Sequence, residues 1–155
     1  MAVYVDDILI TGSDQAEVNH VKHHLNQCFG IKDLGQLHYF PGFEVSYVPE
    51  GIVLSQKKFT LEFLKDSGLT SSKPAATPLP LNSKLQPDEG DLLVDPTYYR
   101  AMIGKLNFLT NTHPDLNFTA QTLRQFMQKP RTSHLQALHH TLRYIQSIIG
   151  KGILL

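Results

Sequence analysis

Two adjacent carboxylates between two short apolar runs constrain this chain more than any other feature. Residues 2–12 read Ala2-Val3-Tyr4-Val5-Asp6-Asp7-Ile8-Leu9-Ile10-Thr11-Gly12. Short runs rich in β-branched and apolar residues read as buried strands. A tight turn between them puts both acids at the tip of a hairpin. Neighbouring like charges repel, and burying them is costly unless something compensates. A divalent cation is the usual compensator, because Mg2+ binds through one or two carboxylates and completes its shell with water or substrate phosphates. A solvated turn, where Asp-Asp is also common, is the competing reading.

The chain has 155 residues, enough for one ordinary domain with a real core. No run approaches the length of a membrane span, and the N-terminus lacks a basic, signal-type region. Cys28 is the single cysteine, which excludes an internal disulfide framework and implies a soluble protein of a reducing, intracellular compartment. Met1 stands one residue before a strand that reads as central, which suggests truncation. The net charge is zero, an argument against a generic nucleic-acid binder, but it conceals an asymmetry. Residues 1–95 carry seven Lys/Arg against thirteen Asp/Glu, and residues 96–155 carry seven against Asp115 alone. An acidic front and a basic back suit a metal site in one half and a phosphate-facing surface in the other.

Ser13 or Asp14 caps a first helix, Glu17 completes a capping box, and Gly30 ends it. Val18, Val21, Leu25 and Phe29 form its apolar stripe. His20, His24 and Cys28 recur along it at i, i+4 and i+8, ligand types that suit Zn2+. That row drifts around the helix, so a surface His pair beside a half-buried Cys accounts for it better. Residues 36–48 alternate in part, through Leu37, Tyr39, Phe43, Val45 and Tyr47, with a break at Pro41-Gly42. Pro49-Glu50-Gly51 turns the chain into the strand Ile52-Val53-Leu54. Ser55 caps a helix from Gln56 to Ser67 that buries Phe59, Phe63 and Leu64.

Pro74, Pro78, Pro80 and Pro87 mark residues 70–95 as an extended connector, too long to be idle. It wraps a surface or spans two subdomains. Asp95-Pro96 starts a helix running to about Asn111, with Met102, Ile103, Leu106 and Leu109 as its stripe. Arg100, Gly104 and Phe108 share an adjacent face. A mid-helix glycine costs about 1 kcal/mol against alanine and marks close approach, by spacing alone slightly in favour of another helix. Pro114-Asp115 restarts a helix carrying Phe118, Leu123, Phe126 and Met127 and ending before Pro130. Ser133 opens the last, where Leu135, Leu138, Leu142, Ile145 and Ile149 form the stripe, His139 and His140 read as solvated, and Gly150 closes it. Gly152-Ile153-Leu154-Leu155 reads as the start of a strand.

Taken in order, these motifs resemble the reverse transcriptase of Ty1/copia-type LTR retrotransposons over almost the whole chain. Tyr4-Val5-Asp6-Asp7-Ile8 is similar to the family's catalytic hairpin. Ile31-Lys32-Asp33-Leu34-Gly35, His38-Tyr39-Phe40 with Gly42 and Glu44-Val45, and Leu54-Ser55-Gln56 follow in family order. So do Lys73-Pro74, Thr77-Pro78, Asp95-Pro96 with Tyr99-Arg100, Gly104, Pro114-Asp115, Gln125-Phe126-Met127, His134 and Leu142-Arg143-Tyr144. Two positions depart from the pattern: Pro41 stands where an aliphatic residue is usual, and His113 where Arg is usual. Inside a sheet, Pro41 would remove a ladder donor, and His113 loses a permanent charge.

The resemblance implies an α+β fold, an antiparallel palm-type sheet remnant followed by a mostly helical thumb and connection. Residues 1–54 would be the end of the palm with a primer-grip-like segment. Residues 55–130 would be thumb, including the connector, and 131–155 a connection helix and a strand leading toward an absent RNase H domain. The implied parent is the Pol polyprotein of a transposable element, an RNA-directed DNA polymerase that extends a primer 3′-hydroxyl by two-metal catalysis. Asp6 and Asp7 would be catalytic and hold Mg2+ or Mn2+, weakly here, since the fingers and a third metal-binding Asp lie outside the chain. Tyr4, Val5, Gly42, Arg100, Gly104, Lys105 and Phe108 would contact an RNA or DNA template–primer duplex, and Lys32 would steer pyrophosphate. The expectation is a chain inactive by itself. The alternatives are a non-catalytic remnant that binds nucleic acid or a partner polymerase chain, and a small zinc-stabilised helical module.

Overall fold

The computed structural model describes residues 1–69, 72–81 and 84–155. Strands β1 (Ala2–Tyr4) and β2 (Asp7–Leu9) form a hairpin, and helix α1 (Gln15–Phe29) follows. Then come β3 (Tyr39–Phe40), β4 (Phe43–Val48), β5 (Gly51–Ser55) and helix α2 (Lys57–Ser67). The second half is α3 (Thr97–Leu109), a 3-10 turn at Pro114–Leu116, α4 (Asn117–Arg124), α5 (Thr132–Ser147) and β6 (Gly152–Leu154). The fold is α+β with two antiparallel sheets, one of β1 and β2 and one in the order β3-β4-β5-β6.

The core is helical. Phe63 and Leu64 of α2, Leu106 and Leu109 of α3, Leu123 of α4 and Leu138, Leu142 and Ile145 of α5 are buried together. These are the apolar stripes of period 3.6, and their convergence is the main source of stability. In the sheet of β3–β6, Val45 is buried at 6% exposure, and Phe43 of β4 meets Phe108 of α3 edge-on at 5.6 Å.

Several local expectations are revised. The runs flanking Asp6 and Asp7 form strands, but exposed ones: Val3 is 62% and Tyr4 54% exposed, because no described element covers their apolar faces. Helix α1 is capped by Asp14, whose carboxylate accepts from the Ala16 and Glu17 amides, and it ends at left-handed Gly30. It buries no residue, and Phe29 and Cys28 on it are both exposed. Helix α2 is capped by Glu44 of β4 rather than by Ser55. The Glu44 carboxylate accepts from the Lys57 amide at 3.2 Å, the Lys58 amide at 2.8 Å and the Ser55 hydroxyl at 3.1 Å. Glu44 pairs directly with Ser55 across the sheet, so the register delivers a full negative charge to a helix N-terminus.

The Pro114 segment begins as a 3-10 turn, and α4 stops at Arg124, leaving Phe126 and Met127 in the turns before Pro130. Pro96 is the N-cap of α3, and Asp95 just before it accepts from the Thr97 amide at 2.8 Å. The Asp95 carboxyl lies below the usual range, first through the Thr97 side chain and then through that amide. His139 and His140 are half-buried rather than solvated. Residues 152–154 pair with β5 and so extend the front half's own sheet.

Candidate active site

The tip of the β1–β2 hairpin is a two-residue loop, since Tyr4 pairs with Asp7 and leaves Val5 and Asp6 to turn the chain. Val5 has φ +50°. A two-residue hairpin loop needs positive φ at its first position to match the twist of the strands. A β-branched residue there is a conformational outlier costing about 1–2 kcal/mol, which glycine would avoid. Asp6 takes the second loop position and Asp7 opens β2, both exposed. Oxygen donors on a short loop suit a hard cation such as Mg2+. Among the described residues, no group of three or more His, Cys, Asp or Glu comes together to hold a metal ion. That applies equally to His20, His24 and Cys28, although Cys28 sulfur lies 3.6 Å from His24 Nε2.

Tyr4 links this hairpin to the larger sheet, with its ring edge-on to Phe40 at a centroid distance of 6.2 Å. Phe40 precedes the turn Pro41-Gly42, and Phe40 and Phe43 pair across it. Proline at the first turn position and Gly42 at φ +86° in the second suit a type II turn. Pro41 therefore sits outside the ladder and removes no donor from it, which answers the objection drawn from sequence. Gly42 also packs on α3: a Cβ there would lie 2.6 Å from Phe108 Cζ and 2.8 Å from Cε1. The Phe108 ring is held edge-on by Phe43 at 5.6 Å and Phe59 at 4.8 Å. Beside it, a cleft of about 240 Å3 is lined by Tyr39, Gly42, Glu44, Lys58, Phe59 and Glu62.

The α3 residues singled out by spacing have unlike surroundings. Gly104 is exposed, and a Cβ on it would meet nothing within 4 Å, so among the described residues no other helix packs against it. The Arg100 guanidinium donates to the Met127 and Gln128 carbonyls at 2.8 and 3.3 Å. Lys105 pairs with Asp66 of α2, and Phe108 is half-buried in its aromatic cluster. Lys32 is exposed beside Asp33. The Asp33 carboxyl is held below the usual range by the Gly35 amide and then by Lys22. His113 is buried at 5% exposure, which lowers its pKa, partly opposed by Asp115. Sequence reasoning marked Phe43 and Phe59 only as apolar and did not single out Glu62, which lines the cleft.

Comparison with known proteins identifies the family. A family model described as reverse transcriptase (RNA-dependent DNA polymerase) matches residues 1–81. Over its full length the chain is 43% identical to the retrovirus-related Pol polyprotein from transposon RE1 of Arabidopsis thaliana, and spans 11% of that protein. The chain belongs to the Ty1/copia reverse transcriptase family. Other relatives include an uncharacterized mitochondrial protein of Arabidopsis thaliana, 36% identical over 99% of this chain and 63% of its own length. The Pol polyprotein from transposon TNT 1-94 of Nicotiana tabacum is 28% identical over 97% of this chain and 12% of its own length. No solved structure matches. This reverse transcriptase chain thus corresponds to about a tenth of the retrotransposon polyproteins it resembles.

Proposed function

We propose that the Val5-Asp6 loop is the metal-binding tip of the family's polymerase site, with Asp6 as the main ligand and Asp7 in support. The observation that carries this reading is the strained Val5: a β-branched residue at φ +50° holds a carboxylate at the end of a two-residue loop. Bound Mg2+ or Mn2+ would lower the pKa of a primer 3′-hydroxyl and stabilise a leaving pyrophosphate. Around it, Tyr4, Val5 and the Gly42 turn contact the primer terminus, and Lys32 serves pyrophosphate. Arg100, Gly104, Lys105 and Phe108 meet the template–primer duplex, with Gly104 permitting the closest approach. Of these, Tyr4, Gly42 and Phe108 are tied together by the aromatic contacts that join hairpin, sheet and α3.

With two described carboxylates, metal affinity is roughly millimolar, because Mg2+ dehydrates reluctantly. The isolated 155-residue chain does not extend a primer. Titration with Mn2+, read by paramagnetic broadening, tests the assignment. Broadening centred on residues 4–9 and lost in Asp6→Asn/Asp7→Asn supports it; broadening indifferent to that double substitution sinks it. Primer extension above the same double variant would refute the claim of inactivity. A non-catalytic role in binding nucleic acid is favoured by the absence of a third carboxylate among the described residues, and duplex binding without metal dependence would select it.

A further inference from the structure

Two imidazoles on α5 hold the proline-rich connector in a way that depends on their being neutral. His134 is fully buried, its ring stacked on Phe126 at 3.8 Å. Its Nδ1 lies 3.0 Å from the Arg131 backbone nitrogen, which can only donate, and its Nε2 lies 2.9 Å from the Gln86 carbonyl oxygen, which can only accept. The ring is thus the Nε2–H tautomer. His140 repeats the arrangement further along the helix: Nε2 faces the Thr77 carbonyl at 3.0 Å, and Nδ1 faces the Arg143 guanidinium at 3.4 Å. In both, the one free lone pair points at an N–H donor.

We infer that His134 and His140 form a proton-operated latch that pins the connector to α5 at Gln86 and Thr77 when neutral and lets those two points go on acidification. A proton on Nδ1 would set two donors against each other at each site. At His134 it would also place a charge in a fully buried position, and at His140 beside a cation. The ionic surroundings do not offset this. Facing His134 are the uncharged Phe126 ring and the Arg131 amide, while the Arg131 guanidinium turns to Pro87 and Gly90 carbonyls and Asp88. His140 lines a second cleft, together with Lys84 and Glu89 of the connector and Arg143 of α5. Neither imidazole is hydrogen-bonded to a carboxylate among the described residues.

Three backbone amides report on docking: Ala75 N–H donates to Arg143 O, Asp91 N–H to the Thr132 side-chain Oγ1, and Leu93 N–H to Pro130 O. Amide exchange corrected for intrinsic rates should show their protection falling at least tenfold from pH 7.5 to 4.5, while amides inside α3 keep theirs. Imidazole nitrogen shifts measured on the same samples report which form each ring holds at each pH. His134→Gln/His140→Gln retains neutral hydrogen-bonding groups, the carboxamide at the first position being able to accept from the Arg131 amide, and should make connector protection independent of pH. Three outcomes would overturn the latch: protection unchanged while the rings become charged, rings that stay neutral down to pH 4.5, or loss of α3 protection in step with the connector. The first and third are read on the unaltered chain, so a poorly folding variant does not obscure them.

Discussion

Gly42→Ala is the most revealing single substitution. It introduces a methyl carbon at φ +86° and, in the unrelaxed structure, within 2.6–2.8 Å of the Phe108 ring. The left-handed conformation costs an alanine about 1–2 kcal/mol. Forcing a rigid ring to move inside a packed cluster costs about 1–3 kcal/mol more. Phe108 has little room to yield, being flanked by Phe43 and Phe59. The expected loss is therefore about 2–5 kcal/mol, or roughly 4–20 °C in melting temperature for a chain of this size. Thermal and urea unfolding by circular dichroism would measure it. Repeating the substitution in a Phe108→Leu background separates the two causes: backbone strain remains, and the steric part largely disappears. A coupling of about 1–3 kcal/mol is expected. A loss under about 1 kcal/mol, or an equal loss in both backgrounds, refutes the close packing of turn and helix.

Three further outcomes follow from other sites. Gly104→Ala should stabilise the fold by about 1 kcal/mol, as an exposed helix position with open space above it; Gly104→Leu should stay folded while weakening duplex affinity in a filter-binding assay. Glu44→Gln should cost about 1–2 kcal/mol in urea unfolding, because α2 loses its charged cap. Tyr144 is held up to about 12, first by its hydrogen bond to Asp115. The folded chain keeps that proton where the unfolded chain releases it, so this stabilisation is complete below about pH 10 and fades as pH rises toward about 12. Asp115→Asn should bring the phenol's ionisation, followed by ultraviolet absorbance, back toward the ordinary tyrosine range.

The helical half was legible because its signals are local. Asp95 precedes α3, Gly30 and Gly68 end their helices, and the 3-4 rhythm of Leu138, Leu142 and Ile145 names residues that are fully buried. The carboxylate hairpin was legible for a related reason: two short strand-forming runs leave room for little except a tight loop. What escaped was decided by partners distant in the chain. Ser55 has the right chemistry to cap α2, but sheet register puts Glu44 there instead. His140 looks like a solvated residue until residue 77 folds over it. Gly104 could equally have marked a packed crossing or an open face, since a missing side chain leaves the same trace in sequence either way.

The position of β6 has a consequence for the order of assembly. Its residues pair with Val53, Leu54 and Ser55, and Leu155 exchanges two backbone bonds with Ile52. During synthesis one side of β5 must wait unpaired until about a hundred further residues have been made, a long-range closure of the kind that slows folding. Until then β5 is an open edge able to recruit a strand from another molecule. Growing chains crowded on one messenger would meet that hazard most, since each carries the open edge until β6 is made.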